Sequence, residues 1–427
     1  MHKIILFTML IAALLMALTA CQPAATEAPA EAAPEEEAPP PEEMVEPIKV
    51  GVLAPLSGAF AGLGEDNVWG VKRAFEEVDY MVAGRPVELF IEDTQIDPDV
   101  AIEKARALVN RDDVDVIIGP LSGGTSLAVK EASKEWPDVT VLPGGAANLI
   151  TMVDVAPNVY RNSFAGGQPL YALAEWAIEN DITRVATVGE DYSFPYDQIG
   201  GFAYVFCKLG GKIPNAYWTP IGTADYSSII ADLDPDEVDA VLVAYGGTDA
   251  VNFVKQMDEF GLLDKIKFLG GSSFGDASVL SEVGELLDQT VGGSLYSGDL
   301  THKEFVDFEA AFQEDNGRPS TLFAENFYAA ARWVILATEA LDGNIEDQDA
   351  WRAELEGIEF MAPRGPVKFD EYHNVTGDMY LNLVEEVDGQ WRNTMIETIP
   401  DVGQYWTFDP DEFDASLPWG RDNPSCP

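Results

Sequence analysis

Gly271-Ser272-Ser273-Phe274-Gly275 matches the G-x-S-x-G turn that lifts a nucleophilic serine above the end of a strand. An apolar strand pattern precedes it and a helical pattern follows, the setting that such chemistry requires. A serine nucleophile also needs a base oriented by an acid. After Ser273 only His302 and His373 remain, and neither has an obvious acid partner. Matches of this length with two glycines are common in strand-to-helix turns, so hydrolysis through Ser273 stays a remote alternative. Phosphate and metal chemistry have no carrier either. The chain has no Walker loop, no His-Glu-x-x-His pair and no EF-hand spacing, and Gly62-Leu63-Gly64 lacks the third glycine of a dinucleotide loop. Asp409-Pro410-Asp411-Glu412-Phe413-Asp414 could hold calcium weakly but reads better as a solvated acidic turn. We therefore expect no catalytic residue, no cofactor and no metal. The remaining task for these residues is binding.

The chain's start predicts where that binding happens. Met1-His2-Lys3 is positive, Ile4 to Leu18 is almost unbroken apolar sequence, and Leu18-Thr19-Ala20-Cys21 ends it. A short apolar run closed by small residues before a cysteine is the pattern of bacterial lipoprotein export signals; it is too short for a typical membrane span. Residues 1–20 read as a removed leader, with Cys21 as the acylated mature terminus; an uncleaved anchor helix is the alternative. Residues 22–47 contain eight glutamates and seven prolines and cannot bury a core, so residues 21–47 read as a lipidated tether. The expected location is extracytoplasmic, on the membrane surface through Cys21. The net charge of −49 repels phosphates and excludes a nucleic-acid partner. Besides Cys21 only Cys207 and Cys426 are present, and outside the cytoplasm a pairing between them is expected over two free thiols.

The rest of the chain must position whatever is bound. Ile48 to Leu53 reads as a buried strand, and Val68, Val71, Phe75 and Val78 mark a following helix. Further strands are predicted at 87–91, 114–118, 139–142, 185–188, 240–243 and 266–269. Helices fall between them, at 100–109, from about 125, around Gly200 and at 250–260. Helices at 305–312 and 322–341 come next, then strands around Val367 and at 380–387. Alternating strands and helices argue for an α/β architecture of two lobes with parallel sheets flanked by helices. Two such lobes imply a cleft at the strand ends.

Several segments resemble the branched-chain amino-acid-binding (Leu/Ile/Val-binding) proteins of ABC importers, the type I periplasmic binding proteins. They are Ile48-Lys49-Val50-Gly51 through Leu56-Ser57-Gly58, Ala61-Gly62-Leu63-Gly64 with Gly70, and Val116-Ile117-Ile118-Gly119-Pro120-Leu121-Ser122. Asp225-Tyr226-Ser227, Phe253 to Leu262 and Gly365-Pro366-Val367-Lys368-Phe369-Asp370 follow in the family's order. The resemblance spans about residues 48–400. It implies two Rossmann-like lobes joined by a three-strand hinge, with residues 48–164 and 296–372 in lobe 1 and residues 165–295 and 373–427 in lobe 2. It also implies a monomer that closes on a small molecule and docks on membrane permease subunits served by separate ATPases. A receptor-like sensor of the same fold would differ only in its partner.

Carried over position by position, the resemblance places the carboxylate-binding loop on Leu121, Ser122 and Gly123, with Gly124 adding a backbone N–H. A second segment falls on Gly144, Gly145 and Ala146. The first-loop tyrosine of the amino-acid binders falls on Leu63, and the second-lobe tyrosines fall near Phe194 and Tyr196 and near Tyr245 and Gly246. The acid that meets a ligand ammonium falls near Ser272, so its charge is missing. Phe323, better read as core, and Glu325 open a helix beside these positions. The tail from Gln404 to Cys426 resembles a subgroup linked to aromatic acids, with Cys426 clamped to Cys207. An aromatic or other apolar carboxylate is the leading ligand. A branched-chain or other apolar amino acid is the alternative, and amides and polyols stay open.

Overall fold

A computed structural model describes residues 45–422 and 426. The readings of residues 1–20 as a leader, of Cys21 as a lipid site and of the tether up to residue 44 lie outside the described residues. The described residues form one compact unit.

The first sheet has five strands. They are β1 (Ile48–Ala54), β2 (Met81–Val82), β3 (Arg85–Asp93), β4 (Val116–Ile118) and β5 (Thr140–Leu142), in the order β2-β3-β1-β4-β5. β3, β1, β4 and β5 run parallel. Their connections are α1 (Ala61–Glu76), α2 (Pro98–Ala107) and α3 (Gly123–Ser133). Strand alternation sends Val50, Val52 and Ile118 to one core cluster, and Leu53, Ile117 and Val141 to another. Both faces of the sheet are therefore covered, as a parallel sheet requires.

The second sheet begins after α4 (Tyr171–Glu179). Its parallel part contains β6 (Val185–Glu190), β7 (Ala216–Thr219), β8 (Ala240–Ala244), β9 (Lys267–Gly270) and β10 (Val291–Ser294). The helices α5 (Ser193–Phe206), α6 (Ser227–Asp232), α7 (Gly247–Glu259) and α8 (Ala277–Val283) connect them. Val185 and Leu242 face one cluster, and Ala186 and Val241 the opposite one. The chain then forms α9 (Lys303–Asn316), α10 (Leu322–Ala340) and α11 (Gln348–Gly357), which flank the first sheet's core. It ends with β11 (Glu359–Ala362), β12 (Gly365–Phe369), β13 (Val375–Val387), β14 (Gln390–Val402) and α12 (Pro410–Asp414).

β13 ties these parts together. Its first residues pair with β12 and residues 380–383 pair with β10, so the nine-stranded sheet continues into β11 and β12. Yet Ala362, Val367 and Phe369 of those strands pack in the same core as β1, α1 and α10. β2, β7, β10, β11 and β14 were not anticipated. β10 and β14 carry weak local patterns (Val-Gly-Gly-Ser, and a polar, largely uncovered strand) and exist because β13 offers them a paired edge.

The tail folds back on α5. Cys207, just past α5, is bonded to Cys426 with 5.3 Å between Cα atoms. Phe413 and Trp419 are buried in the cluster that holds Phe202 and Phe206. The acidic turn closes on itself, with Asp409 accepting the Glu412 N–H at 3.1 Å. No described helix is long and apolar enough to cross a membrane.

Candidate functional site

The C-terminal ends of β4, β5, β6, β8 and β9 converge on one cavity of about 510 Å³ empty volume, partly open to solvent. In parallel α/β sheets this is where ligands collect, because the strand-to-helix turns are free to vary there. From the first sheet come Leu121, Ser122 and Gly123 after β4, and Gly144 and Ala146 after β5. Phe60 and Leu63 enter at the start of α1, and Leu322, Phe323 and Asn326 at the start of α10. The second sheet contributes Glu190, Tyr192, Phe194, Gly246 and Ser273, while Phe164 lies on the segment joining the two.

The start of α3 gives the cavity its polarity. Ser122 is the N-cap, and its Oγ accepts the Thr125 N–H at 3.2 Å. Gly123 and Gly124 follow as the first helical residues, so their N–H groups have no acceptor within the helix. Those groups and the helix dipole favour an anion at this point. Among the described residues no lysine or arginine lines the cavity. A Cβ on Gly123 would stand 3.0 Å from Ser193 Oγ and 3.2 Å from Phe194 Cβ, so the facing wall explains the missing side chain.

Four residues expected in the cleft lie elsewhere. Gly145 is turned away between Gly144 and Ala146, as alternation in an extended segment requires; a Cβ there would be 2.2 Å from Ser126 Oγ. Tyr196 sits two residues after Phe194 on α5, about 200° around the helix. Its hydroxyl meets Asp191 and its ring packs on Trp218 at 4.7 Å. Tyr245 is buried against Tyr226 and Phe253, with its hydroxyl 3.2 Å from Thr219 Oγ1. Ser272 Oγ accepts from Gln198 Nε2 at 2.7 Å, and its N–H donates to Gln198 Oε1 at 3.2 Å. Ser273, the next residue, takes the cavity position. Phe323 lines the cavity despite being 5% exposed, whereas Glu325 is paired with Arg364 at 3.2 Å in the core.

Sequence reasoning missed Phe60, Phe164, Glu190, Tyr192, Leu322 and Asn326. Glu190 is the most consequential. It ends β6, is 1% exposed, and accepts the Gly246 N–H at 2.9 Å. Burial pushes its carboxyl up to about 8, with the nearby Asp249 charge acting in the same direction. Its one available signal was an acid closing an otherwise apolar strand.

A periplasmic binding protein family model matches residues 47–389. The chain belongs to the periplasmic binding protein family. Leu/Ile/Val-binding protein homolog 6 of Brucella melitensis is 26% identical over 363 residues, covering 83% of this chain and 92% of that protein. The ABC transporter substrate-binding protein from Sphaerobacter thermophilus superposes with a TM-score of 0.78 at 31% identity, covering 84% of this chain and 99% of the other. A solute-binding protein of an ABC transporter from Rhodopseudomonas palustris, in complex with 3,4-dihydroxybenzoic acid, gives a TM-score of 0.80 at 26% identity. That match covers 84% of this chain and 98% of the other.

This periplasmic binding protein is accordingly an extracytoplasmic solute-binding component of an ABC transporter, not an enzyme. The site agrees with that assignment. Ser273 borders the cavity, but His302 bonds to the Ala362 carbonyl and His373 stacks on Tyr160, and neither lines the cavity.

Proposed function

We propose that this binding protein closes two lobes on a small apolar or aromatic carboxylate and delivers it to its permease. The observation that carries the reading is the start of α3, where the Gly123 and Gly124 N–H groups follow the Ser122 cap at a cavity whose larger side chains are mainly apolar. Phe60, Leu63, Leu121, Phe164, Phe194, Leu322 and Phe323 supply the wall's large apolar side chains. An anion held by backbone dipoles and a ring held by these side chains together describe an apolar carboxylate. The Rhodopseudomonas palustris relative, solved with a dihydroxybenzoic acid, lends support. In this reading residues 48–164 with 296–372 form lobe 1 and residues 165–295 with 373–427 form lobe 2. A ligand drives closure only through contacts made to both. The protein acts as a monomer, held at the membrane surface through acylated Cys21.

A branched-chain or other apolar amino acid is the second reading. Glu190 favours it, because an acid on the second wall could receive an ammonium group, and the Brucella relative is named for Leu, Ile and Val. Thermal unfolding of residues 48–427, first unfolded and refolded to strip carried-over ligand, separates the two. A ligand at a hundred times its dissociation constant stabilises by about 2.7 kcal/mol. Stabilisation by benzoates or hydroxycinnamates supports the proposal, and stabilisation by leucine or valine instead overturns it.

A further inference from the structure

One carboxyl group faces the cleft with no cation to meet it. Glu190 lines the cavity and accepts a single side-chain hydrogen bond, from the Gly246 N–H at 2.9 Å. Among the described residues no lysine, arginine or histidine pairs with it. The titratable groups that face it are Asp249 from α7, Tyr192 just beyond β6, Tyr226 before α6 and Tyr245 after β8. All of these are neutral or negative. Burial, with the Asp249 charge beside it, pushes the Glu190 carboxyl up to about 8 and so toward its neutral form at pH 7. A ligand carboxylate on α3 would add another negative charge, and closure would remove the remaining water. Both effects oppose ionisation further.

Resting on the carboxylate reading above, we propose that Glu190 selects ligands that carry a hydroxyl group away from their carboxylate. A neutral carboxyl both donates and accepts, and a hydroxyl satisfies both roles. A methyl group in the same place would leave the buried carboxyl short of a partner, which is how polar sites reject analogues that lack a hydroxyl. α3 and Glu190 lie on walls built from different sheets, so the ligand's two polar ends would also report that both walls are engaged.

The test compares 4-hydroxybenzoate with 4-methylbenzoate by titration calorimetry on the full-length chain. The wild type should prefer the hydroxylated acid by about tenfold or more at pH 7. Glu190→Gln keeps a donor and an acceptor without ionising and should keep that preference within about threefold. Glu190→Leu should lose the preference yet still bind 4-methylbenzoate. As pH rises from 7 to 9.5, wild-type affinity for 4-hydroxybenzoate should fall more than that of Glu190→Gln. 4-Methylbenzoate, which has no phenol to ionise, is titrated over the same pH range in both proteins, so that the difference isolates Glu190. If Glu190→Leu does not fold, this pH comparison decides. A preference that survives Glu190→Leu, or equal pH profiles, overturns the inference. Equal affinity for the two benzoates overturns it while leaving the carboxylate reading intact. Binding of leucine but of neither benzoate, with a large loss in Glu190→Gln, overturns both.

Discussion

Gly62 and Gly70 lie on the same helix, and alanine at each should move stability in opposite directions. α1 runs against α10, and a Cβ on Gly70 would stand 2.0 Å from the Ala324 carbonyl oxygen and 2.9 Å from the Tyr328 nitrogen. Both obstacles are backbone, so no side chain can swing aside. The two helices must part by about 1 Å, a gap that forfeits a quarter to a half of each dispersion contact along the seam. Overpacking costs about 1–3 kcal/mol, and a backbone obstacle belongs at the upper end. Alanine regains about 1 kcal/mol in helix propensity. The net expectation for Gly70→Ala is a loss of about 2 kcal/mol. Gly62 is exposed and has nothing within 4 Å of its Cβ position, so propensity acts unopposed there. Gly62→Ala should stabilise by up to about 1 kcal/mol. Urea unfolding followed by tryptophan fluorescence reads both as shifts in midpoint at unchanged slope. Because α1 carries Leu63 and α10 carries Leu322 and Phe323, Gly70→Ala should also weaken ligand binding. Gly70→Ala matching or exceeding wild-type stability would show that the helices separate freely, and the packing argument would fail.

Three further outcomes are expected. Gly123→Ala places a methyl 3.0 Å from Ser193 Oγ and 3.2 Å from Phe194 Cβ on the facing wall. Ligand affinity should drop about tenfold, near 1.4 kcal/mol, with little change in unfolding free energy; calorimetry showing undiminished affinity would mean the wall yields. Replacing Cys207 and Cys426 with serine opens a link between residues 219 apart in sequence and should cost about 2–4 kcal/mol. An unmoved urea midpoint would instead assign the tail's attachment to Phe413 and Trp419. Burial raises Glu190 to about 8 and Asp197 to about 7 from ordinary values of 4.5 and 3.8. Folded protein then holds more protons than unfolded protein between those limits, so stability should fall as pH rises from 4.5 to 8. The fall is about 1.4 kcal/mol for each unit of raised pKa. The net charge of −49 works in the same direction, and added salt should narrow the gap. A melting temperature that stays level or climbs from pH 5 to pH 8 would contradict this.

The strand-and-helix alternation from Ile48 to Leu269 was readable because buried strands and amphipathic helices write their periods locally, over a few residues each. The turn at the start of α3 was readable too, since Ser122-Gly123-Gly124 is a cap followed by two bare N–H groups on consecutive residues. Leu63, Gly144, Ala146 and Phe194 could be carried onto the cleft from the family's order, and they line it. Sequence position could not tell Phe194 from Tyr196, or Ser273 from Ser272. Which way each points depends on where the turn leaves its strand and on what stands opposite, here Trp218 for Tyr196 and Gln198 for Ser272. Nor could it find Phe60, Phe164 and Glu190, which come from three separate stretches of chain and meet only when two sheets bring their strand ends together. Composition and periodicity thus determined the kind of fold, and the family's order placed one pole of the cavity. The second pole and the shape between them were decided by tertiary packing, because a cavity is a property of surfaces facing each other, and no single segment encodes both.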